Sequence, residues 1–392
     1  MSLLKFKKKK KDENNVIVQE NPDECVRIVE TMFLKGVFND KVTDVSYNGT
    51  DFYAQDNDIG RYKLALKISS DEVLSFIKKI ANYMLHPFSN INPSLDVSFG
   101  NYRLNALHPS LARNNNKKVV TFSLRRITAT LKIREDDPNL CPLEIHNLLK
   151  VLIKSRQSVL ISGTTGSGKT EFQKFLVSLM DKKDRLIVIE ESYETHLKEI
   201  FPEMDITSWI VNNSRDELAK LIRVSLRNNP DWIIVAETRG AEAFDMLNAV
   251  MTGHSAITTI HTESAKFSVD RISAMCKKSV DFDEKMLQTN VARHLKIGIH
   301  MERIYNVDRQ KYIRRISEIV EYVPKNEGGY EINQIYEITV DDKGREKHVF
   351  GVVSNDLYES FLRNGIDLKN IQRFIKKVEK KPQNTKRKKA KV

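Results

Sequence analysis

Two patterns of apolar positions predict the secondary structure of the N-terminal third of the chain. Apolar residues recur at helical spacing over residues 21–37 and again directly after Ser69, whose hydroxyl is suited to cap a helix. Between these helices, β-branched and aromatic residues on both sides of Asn48-Gly49 predict a hairpin, and residues 95–128 are typical of strands. The pattern therefore predicts a small α+β domain.

The pattern changes at about residue 143, where short apolar runs begin to alternate with amphipathic segments. Four runs predict strands, at residues 158–162, 185–190, 231–237 and 256–262. Continuous apolar strands separated by helices are typical of a parallel sheet that is covered on both faces. After about residue 297 strand-like segments follow one another, and a short final helix is predicted over residues 355–375.

These changes divide the chain into six predicted segments. The 392 residues are sufficient for two or three domains with a sizeable core. The segments are a basic tail (1–20), an N-terminal α+β domain (21–134), a turn-rich linker (135–145), an α/β core (146–297), a small β-rich C-terminal extension with a final helix (298–375) and a second basic tail (376–392).

Cysteine usage and hydropathy argue against several classes of protein. Cys25, Cys141 and Cys276 are far apart and form no CxxC pair, which argues against a disulfide scaffold or a zinc ribbon and favours a reducing compartment. No run approaches about 18 apolar residues, so no membrane-spanning helix is predicted. The basic start is not followed by a long apolar stretch and does not resemble a secretory signal.

The basic charge is concentrated at the two ends of the chain. The formal net charge is +12, to which residues 1–11 contribute +6 and residues 376–392 contribute +8, so the remainder is slightly acidic. Tails of this composition are predicted to be solvated and disordered. The alternative is that their lysines attract an anionic membrane surface or nucleic acid.

The segment GTTGSGKT matches the phosphate-binding pattern GxxxxGK[ST] in full. Its glycines permit a loop whose N–H groups point at phosphate oxygens, its lysine reaches the β- and γ-phosphates, and its last hydroxyl is a ligand for Mg²⁺. A predicted strand precedes it and a predicted helix follows, so ATP and Mg²⁺ are the expected cofactors. The candidate ligands are Gly163, Thr164, Thr165, Gly166, Ser167, Gly168, Lys169 and Thr170.

Acidic and histidine side chains follow other predicted strands. Glu237 is a candidate to hold Mg²⁺ or its water. Glu190, Glu191 and Glu194 form a crowded acidic cluster that suits a catalytic base, for which Glu190 and Glu194 are the candidates. His261 ends a strand and is a candidate to sense the γ-phosphate by hydrogen bonding. The alternatives are solvated loop carboxylates and, for His254, a purely structural histidine; a metal-binding histidine pair is not favoured because no nearby cysteine completes it.

Five arginines are candidates to neutralise phosphate charge, within the chain or across a subunit boundary. Arg223 and Arg227 are four residues apart and share one face of a predicted helix. Arg239 closely follows the candidate metal ligand, and Arg103 and Arg125 lie in the N-terminal strands. The alternative for each of them is an ordinary surface ion pair.

Four segments in this order resemble the secretion ATPases of the type II/type IV superfamily. They are the phosphate loop, the acidic box VIEESYET, the arginine-rich helix and Walker B strand LIRVSLRNNPDWIIVAETRG, and the His box GHSAITTIHTESAKFSVDRI. The resemblance covers roughly residues 20–367, and its two ends look like the Tad/Flp-pilus and conjugation branch. It implies a RecA-like phosphate-loop core with an N-terminal α+β domain and a β-rich C-terminal extension.

The resemblance also implies roles for individual residues. These are phosphate and Mg²⁺ binding for Lys169 and Thr170, general base for Glu190, metal and water binding for Glu237, γ-phosphate sensing for His261, and nucleotide contact for Arg103 and Arg125. Two residues depart from the family pattern: Glu191 stands where Asp is usual, and Ala236 stands where Gly usually precedes the Walker B Glu. These departures bear on the fine geometry of the site.

The implied function is that of an ATP-hydrolysing homo-hexameric motor for pilus assembly, protein secretion or conjugative transfer. It would be cytoplasmic, at the inner face of the plasma membrane, and would act on an inner-membrane platform or a secretion-channel protein. Two alternatives remain open. The basic tails motivate a DNA-handling motor, whereas a nucleotide-gated assembly scaffold with little turnover is disfavoured by the presence of both Glu190 and Glu237.

Overall fold

The computed structural model describes residues 19–33, 36–211 and 215–376. The chain divides into two compact units, Met1–Thr128 and Ala129–Val392. Nearly all of the two basic tails lies outside the described residues, so their disorder stays a prediction. In the described part of the chain, no helix combines the length and the apolar character needed to span a membrane.

The first unit combines helices with an antiparallel sheet. Its described elements are α1 (Pro22–Met32), β1 (Val42–Tyr47), β2 (Phe52–Asp56), β3 (Gly60–Lys63), α2 (Ser70–Tyr83), β4 (Ser94–Phe99), β5 (Tyr102–Leu107), β6 (Arg113–Asn114), β7 (Lys117–Lys118) and β8 (Thr121–Arg126). The main sheet has the order β3-β2-β1-β8-β5-β4 with antiparallel neighbours, and β6 pairs with β7. The predicted α+β character of this region is confirmed.

Local sequence explains why α2 and the first hairpin form. At the start of α2 the Glu72 N–H donates to Ser69 Oγ at 3.3 Å, and the Ser69 N–H donates to Glu72 Oε2 at 2.8 Å. Gly49 has a φ of +97° in the turn between β1 and β2, a conformation that glycine adopts readily. The Phe76 and Phe122 rings, 5.8 Å apart between centroids, pack α2 on the sheet.

The second unit alternates strands and helices and then continues as strands. Its described α-helices and strands are α3 (Leu143–Lys154), β9 (Val159–Ser162), α4 (Lys169–Ser178), β10 (Arg185–Glu190), α5 (Leu197–Ile200), β11 (Asp205–Ile210), α6 (Arg215–Ser225), β12 (Trp232–Val235), α7 (Ala243–Met251), β13 (Ser255–Ile260), α8 (Ser268–Cys276), α9 (Glu284–His294), β14 (Ile297–Asn306), β15 (Lys311–Pro324), β16 (Tyr330–Val340), β17 (Glu346–Phe350) and α10 (Asn355–Arg363). Short 3₁₀ segments occupy Leu226–Asn228, Ala265–Phe267 and Lys369–Phe374.

One sheet with the order β11-β10-β12-β13-β9-β14-β15-β16-β17 runs through the second unit. Neighbours from β11 to β14 are parallel, and neighbours from β14 to β17 are antiparallel. In β9, Val159 and Ile161 belong to one apolar cluster and Leu160 belongs to another. Because successive strand residues point to opposite faces, both faces of the sheet are covered, as predicted.

The strands after residue 297 belong to this same sheet. β14 pairs with β9 and crosses the predicted boundary between core and extension, so backbone hydrogen bonds join the two segments. The prediction of one final helix over residues 355–375 is wrong: α10 ends at Arg363, Gly365 has a φ of +67°, and a separate 3₁₀ segment follows. The predicted bounds of the other segments remain predictions.

The carboxyl ends of the parallel strands meet at one edge of the sheet. β9 leads into the phosphate loop, β10 ends at Glu190, β12 leads to Glu237, and β13 leads to His261. β13 lies between β12 and β9, so these segments are neighbours. In sheets of this type ligands bind outside the carboxyl ends of the strands, which makes this edge the candidate site.

Candidate nucleotide-binding site

Three glycines shape the phosphate loop between β9 and α4. Gly163, Gly166 and Gly168 have φ values of +149°, +78° and +94°, a range in which other residues are strained. Helix α4 begins directly after the loop at Lys169, so the N–H groups of its first turn have no partner within the helix. The loop and the positive end of the helix therefore offer donors to an anion.

Gly163 has no room for a side chain, which makes Gly163→Ala informative. A Cβ there would lie 2.3 Å from the carbonyl oxygen of Met301 and 2.6 Å from Ser167 Oγ. We expect this change to weaken nucleotide binding at least about tenfold and to lower the free energy of unfolding by roughly 2–4 kcal/mol, because backbone strain and steric overlap add. Nucleotide titration and chemical denaturation measure the two effects.

Gly253→Ala is the matched control for this prediction. Gly253 also has a positive φ, +101°, but apart from its chain neighbours no residue has an atom within 4 Å of its Cβ position. Its replacement by alanine should lower the free energy of unfolding by about 1 kcal/mol through backbone strain alone and leave nucleotide binding unchanged. Equal effects of the two substitutions would contradict the importance of the close approach of Met301 to the loop.

Lys169 is folded into the loop. Its Nζ donates to the carbonyl oxygens of Gly163 at 2.8 Å and Thr164 at 3.0 Å, and it lies 3.4 Å from His261 Nδ1. Burial lowers the pKa of Lys169 to about 8, although the charge of Glu237 opposes this effect. An ammonium group with only neutral acceptors in hydrogen-bond contact is suited to receive a phosphate.

Glu237 connects this lysine to an arginine. Its Oε1 lies 3.2 Å from His261 Nε2 and 2.6 Å from Arg239 Nε. Burial alone would raise the pKa of Glu237, but the hydrogen bond and charge of Arg239, helped by His261 and Lys169, hold it below its ordinary value. Burial and the charge of Lys169 lower the pKa of His261. The structure thus brings Lys169, His261, Glu237 and Arg239 into one connected group.

Glu190 is the buried carboxylate of the acidic cluster, with an exposed fraction of 2%. It accepts hydrogen bonds from the N–H groups of Glu194 at 3.2 Å and Thr195 at 3.0 Å, and from the Thr195 hydroxyl at 3.1 Å. Burial raises the pKa of Glu190 to about 7 even though these hydrogen bonds oppose the change. A carboxylate whose pKa lies near neutrality can accept a proton at physiological pH.

The other acidic side chains of the cluster have different partners. Glu194 Oε1 accepts a hydrogen bond from the Ser192 hydroxyl at 2.9 Å, and Glu191 Oε2 lies 3.3 Å from Arg239 Nη1. Arg239 therefore bridges Glu191 and Glu237. Through Arg239 the acidic box and the segment after β12, which are far apart in sequence, contact the same guanidinium group.

Two oxygen donors at this edge are suited to Mg²⁺. They are the Thr170 hydroxyl in the first turn of α4 and the carboxylate of Glu237, whose low pKa keeps it ionised at neutral pH. Over the described residues, no group of three His, Cys, Asp or Glu side chains could hold a metal. One hydroxyl and one carboxylate are the donor set that suits an ion which binds mainly through nucleotide phosphates and takes one or two ligands from the protein.

Several predicted residues have local partners that do not involve the phosphate loop. Arg223 Nη1 lies 2.7 Å from Asp245, Arg103 Nη2 lies 3.2 Å from Asp96, and Arg125 Nε lies 2.7 Å from Asp44. His254 Nδ1 lies 3.1 Å from the hydroxyl of Thr252, and Arg227 lies in a 3₁₀ segment. The nucleotide contacts of Arg103, Arg125, Arg223 and Arg227 stay predictions, and the local contact of His254 agrees with a structural role.

Comparison with known proteins decides the family. A family model described as "Type II/IV secretion system protein" matches residues 102–346, which is more than half of the chain. The chain belongs to this family. The predicted resemblance to the type II/type IV superfamily is confirmed.

Two relatives align with different shares of this chain. An uncharacterized protein of Bacillus anthracis is 33% identical over 306 residues, which are 76% of this chain and 68% of that protein. Type IV secretion system protein PtlH of Bordetella pertussis is 32% identical over 134 residues, which are 33% of this chain and 40% of PtlH. This chain therefore aligns with less than half of PtlH.

The fold also agrees with a solved structure of a named ATPase. The X-ray structure of the Legionella pneumophila ATPase DotB matches with a TM-score of 0.55 at 19% identity, over 76% of this chain and 80% of DotB. Identity at this level supports the fold alone. The predicted fold class is confirmed.

Three residues of the β14–β15 hairpin, which no sequence pattern predicts as site residues, also lie at the phosphate loop. Arg314 Nε donates to the carbonyl oxygen of Gly166 at 3.0 Å, His300 Nδ1 lies 2.8 Å from Ser162 Oγ, and Arg303 reaches towards Gly166. The pairing of β14 with β9 brings them there. Their local pattern is that of ordinary strands, so no sequence signal identified them.

Proposed function

We propose that this protein hydrolyses ATP with Mg²⁺ and that the energy drives a membrane-embedded secretion, pilus or conjugation machine. The observation that carries the proposal is the connected group at the strand ends, in which Lys169, His261 and Glu237 join the phosphate loop to the segments after β12 and β13. Membership of the type II/IV secretion system family supports the same activity. The similarly folded DotB of Legionella pneumophila is itself described as an ATPase.

In the proposed reaction each residue has a simple task. The N–H groups of the loop and Lys169 bind the β- and γ-phosphates, and Lys169 exchanges its carbonyl partners for phosphate oxygens. Mg²⁺ held by Thr170 and Glu237 would neutralise developing phosphate charge. Glu190 accepts the proton of the attacking water, and His261 senses the γ-phosphate through its contacts with Lys169 and Glu237.

The assembled form that we propose is a homo-hexamer at the inner face of the plasma membrane. It would act on an inner-membrane platform or a secretion-channel protein, as the family membership and the name of PtlH suggest. The lysines of residues 1–11 would contribute weak attraction to anionic lipid, roughly 1 kcal/mol for each cation near the surface. Analytical ultracentrifugation with and without ATP tests the hexamer.

Lys169→Ala tests the enzymatic proposal directly. The change removes the buried ammonium group and should reduce Mg²⁺-dependent phosphate release by about a hundredfold or more, because this cation balances charge at the transferred phosphate. Phosphate release is measured alone, with anionic phosphatidylserine vesicles, and with DNA at low salt. Stimulation by vesicles supports the membrane machine, whereas steep, salt-dependent stimulation by DNA favours the DNA-handling alternative.

Lys182→Ala is the control for this experiment. Lys182 is exposed and pairs with Glu203 at 3.2 Å, so its loss changes the net charge equally without altering the loop. It should turn over ATP like the wild type. Tight ATP binding by the wild type with no phosphate release would refute hydrolysis and leave the scaffold alternative.

A further inference from the structure

The β14–β15 hairpin closes one side of the phosphate loop. The Met301 carbonyl oxygen lies so near Gly163 that no Cβ fits between them, and Arg314 Nε donates to the Gly166 carbonyl oxygen at 3.0 Å. The side chain of Arg314 also lies 3.0 Å from the position that a Cβ on Gly168 would occupy. Side chains of this hairpin are therefore within reach of whatever the loop binds.

Arg303, in strand β14 of this hairpin, has a positive charge that no carboxylate of the described residues neutralises. Its Nη1 lies 4.0 Å from the Cβ position of Gly166, and its Nε is buried with no hydrogen-bond partner in the described structure. No carboxylate of the described residues lies within ion-pair distance of it. On the facing strand Arg315 is different, because its guanidinium lies 2.6 Å from both Glu302 and Glu346.

An aromatic ring holds the guanidinium group of Arg303 in place. Its Cζ lies 3.9 Å from the ring centroid of Tyr312, and Tyr312 in turn packs edge-on against Tyr305 at 5.2 Å between centroids. Stacking of this kind orients a planar guanidinium group while leaving its N–H donors available. A half-buried cation that is oriented but has no anion is suited to bind an anionic ligand.

We propose that Arg303 is a phosphate ligand of the nucleotide-binding site, oriented by Tyr312. Its guanidinium group contacts phosphate oxygens of the nucleotide held by the loop, near Gly166. The inference rests on the proposed nucleotide-binding function, which it deepens by adding a binding residue from the C-terminal hairpin. Arg314, which hydrogen-bonds the loop backbone, has the separate task of positioning the loop.

The test measures the affinity of the full-length protein for ADP and for tripolyphosphate, which has no base or sugar, in competition with a fluorescent ADP analogue. Arg303→Gln keeps a planar polar group over Tyr312. It should lower the affinity for both ligands about tenfold or more, because a charged hydrogen bond is lost. Arg303→Lys should recover only part of the affinity, since an ammonium group neither stacks nor binds bidentately. Circular dichroism establishes that each variant is folded.

Arg345→Ala is the matched control. Arg345 lies in the turn directly before β17, pairs with Asp341 at 2.8 Å and is exposed. This variant should bind both ligands like the wild type.

Three results would overturn the assignment or its basis. Wild-type affinity for both ligands in the Arg303→Gln variant would show that Arg303 is not a ligand. Weaker binding of ADP with unchanged binding of tripolyphosphate would place Arg303 at the base or ribose and refute the phosphate contact. Failure of the wild-type protein to bind ADP at all would instead refute the proposed function itself.

Discussion

Glu237→Gln is expected to lower the rate of ATP hydrolysis by about a hundredfold or more while ATP remains bound. The amide keeps the size of the side chain but removes the negative charge that lies 2.6 Å from Arg239 Nε and 3.2 Å from His261 Nε2. That charge orients the chain of contacts back to Lys169 and is our candidate for holding Mg²⁺. Phosphate release and ATP affinity, measured on one preparation, separate catalysis from binding.

Glu263→Gln provides the comparison for this change. Glu263 is exposed, lies two residues beyond His261, and shows no described contact with the loop. It should retain wild-type turnover. If Glu237→Gln hydrolysed ATP at the wild-type rate, Glu237 would not be the metal and water ligand. If it lost ATP affinity as well as turnover, its role would be in ground-state binding rather than catalysis.

Glu190→Gln is expected to reduce catalysis and to increase stability at neutral and alkaline pH. As a general base Glu190 works only when deprotonated, so wild-type turnover should rise with pH through about 7 and then level off. Removal of a general base typically costs about a hundredfold to ten-thousandfold in rate. Turnover of both proteins between about pH 6 and pH 9 measures this effect.

The effect of Glu190 on stability has a definite sign. The folded-state pKa is about 7 and the ordinary value is 4.5, so between these values the folded protein holds a proton that the unfolded chain has released. The contribution of Glu190 to the free energy of unfolding is therefore fully present below about pH 4.5. It falls by roughly 3 kcal/mol as pH rises to about 7. The advantage of Glu190→Gln over the wild type should grow by roughly 2–3 kcal/mol between about pH 5 and pH 8.

Glu321→Gln tests whether this behaviour is special to the site. Glu321 is also a buried carboxylate, but it accepts hydrogen bonds from Ser354 and Asn333 at the far end of β15. Its replacement should leave the pH dependence of turnover unchanged. A Glu190→Gln variant that hydrolyses ATP normally, or whose stability advantage does not depend on pH, would contradict the assignment of Glu190 as a buried base.

Residues whose partners are close in sequence were predicted well. The strand, the GTTGSGKT loop and the following helix form a continuous segment, so the type and spacing of its residues define the loop without knowledge of distant contacts. The capped start of α2 and the hairpin at Asn48-Gly49 are local in the same sense. The prediction of one final helix is wrong because the apolar pattern continues through residue 375, although the positive φ of Gly365 ends the helical conformation.

The sequence by itself determined the parallel sheet, the phosphate loop and the segments that contribute Glu190, Glu237 and His261, because motif spacing and apolar periodicity are local properties. Only the tertiary structure decided that β14 pairs with β9 and brings Arg303 and Arg314 to the loop. It also decided the pKa values of the site, since burial and neighbouring charges set them. The physical reason is that strand partners and burial depend on contacts between residues far apart in sequence, which no local pattern specifies.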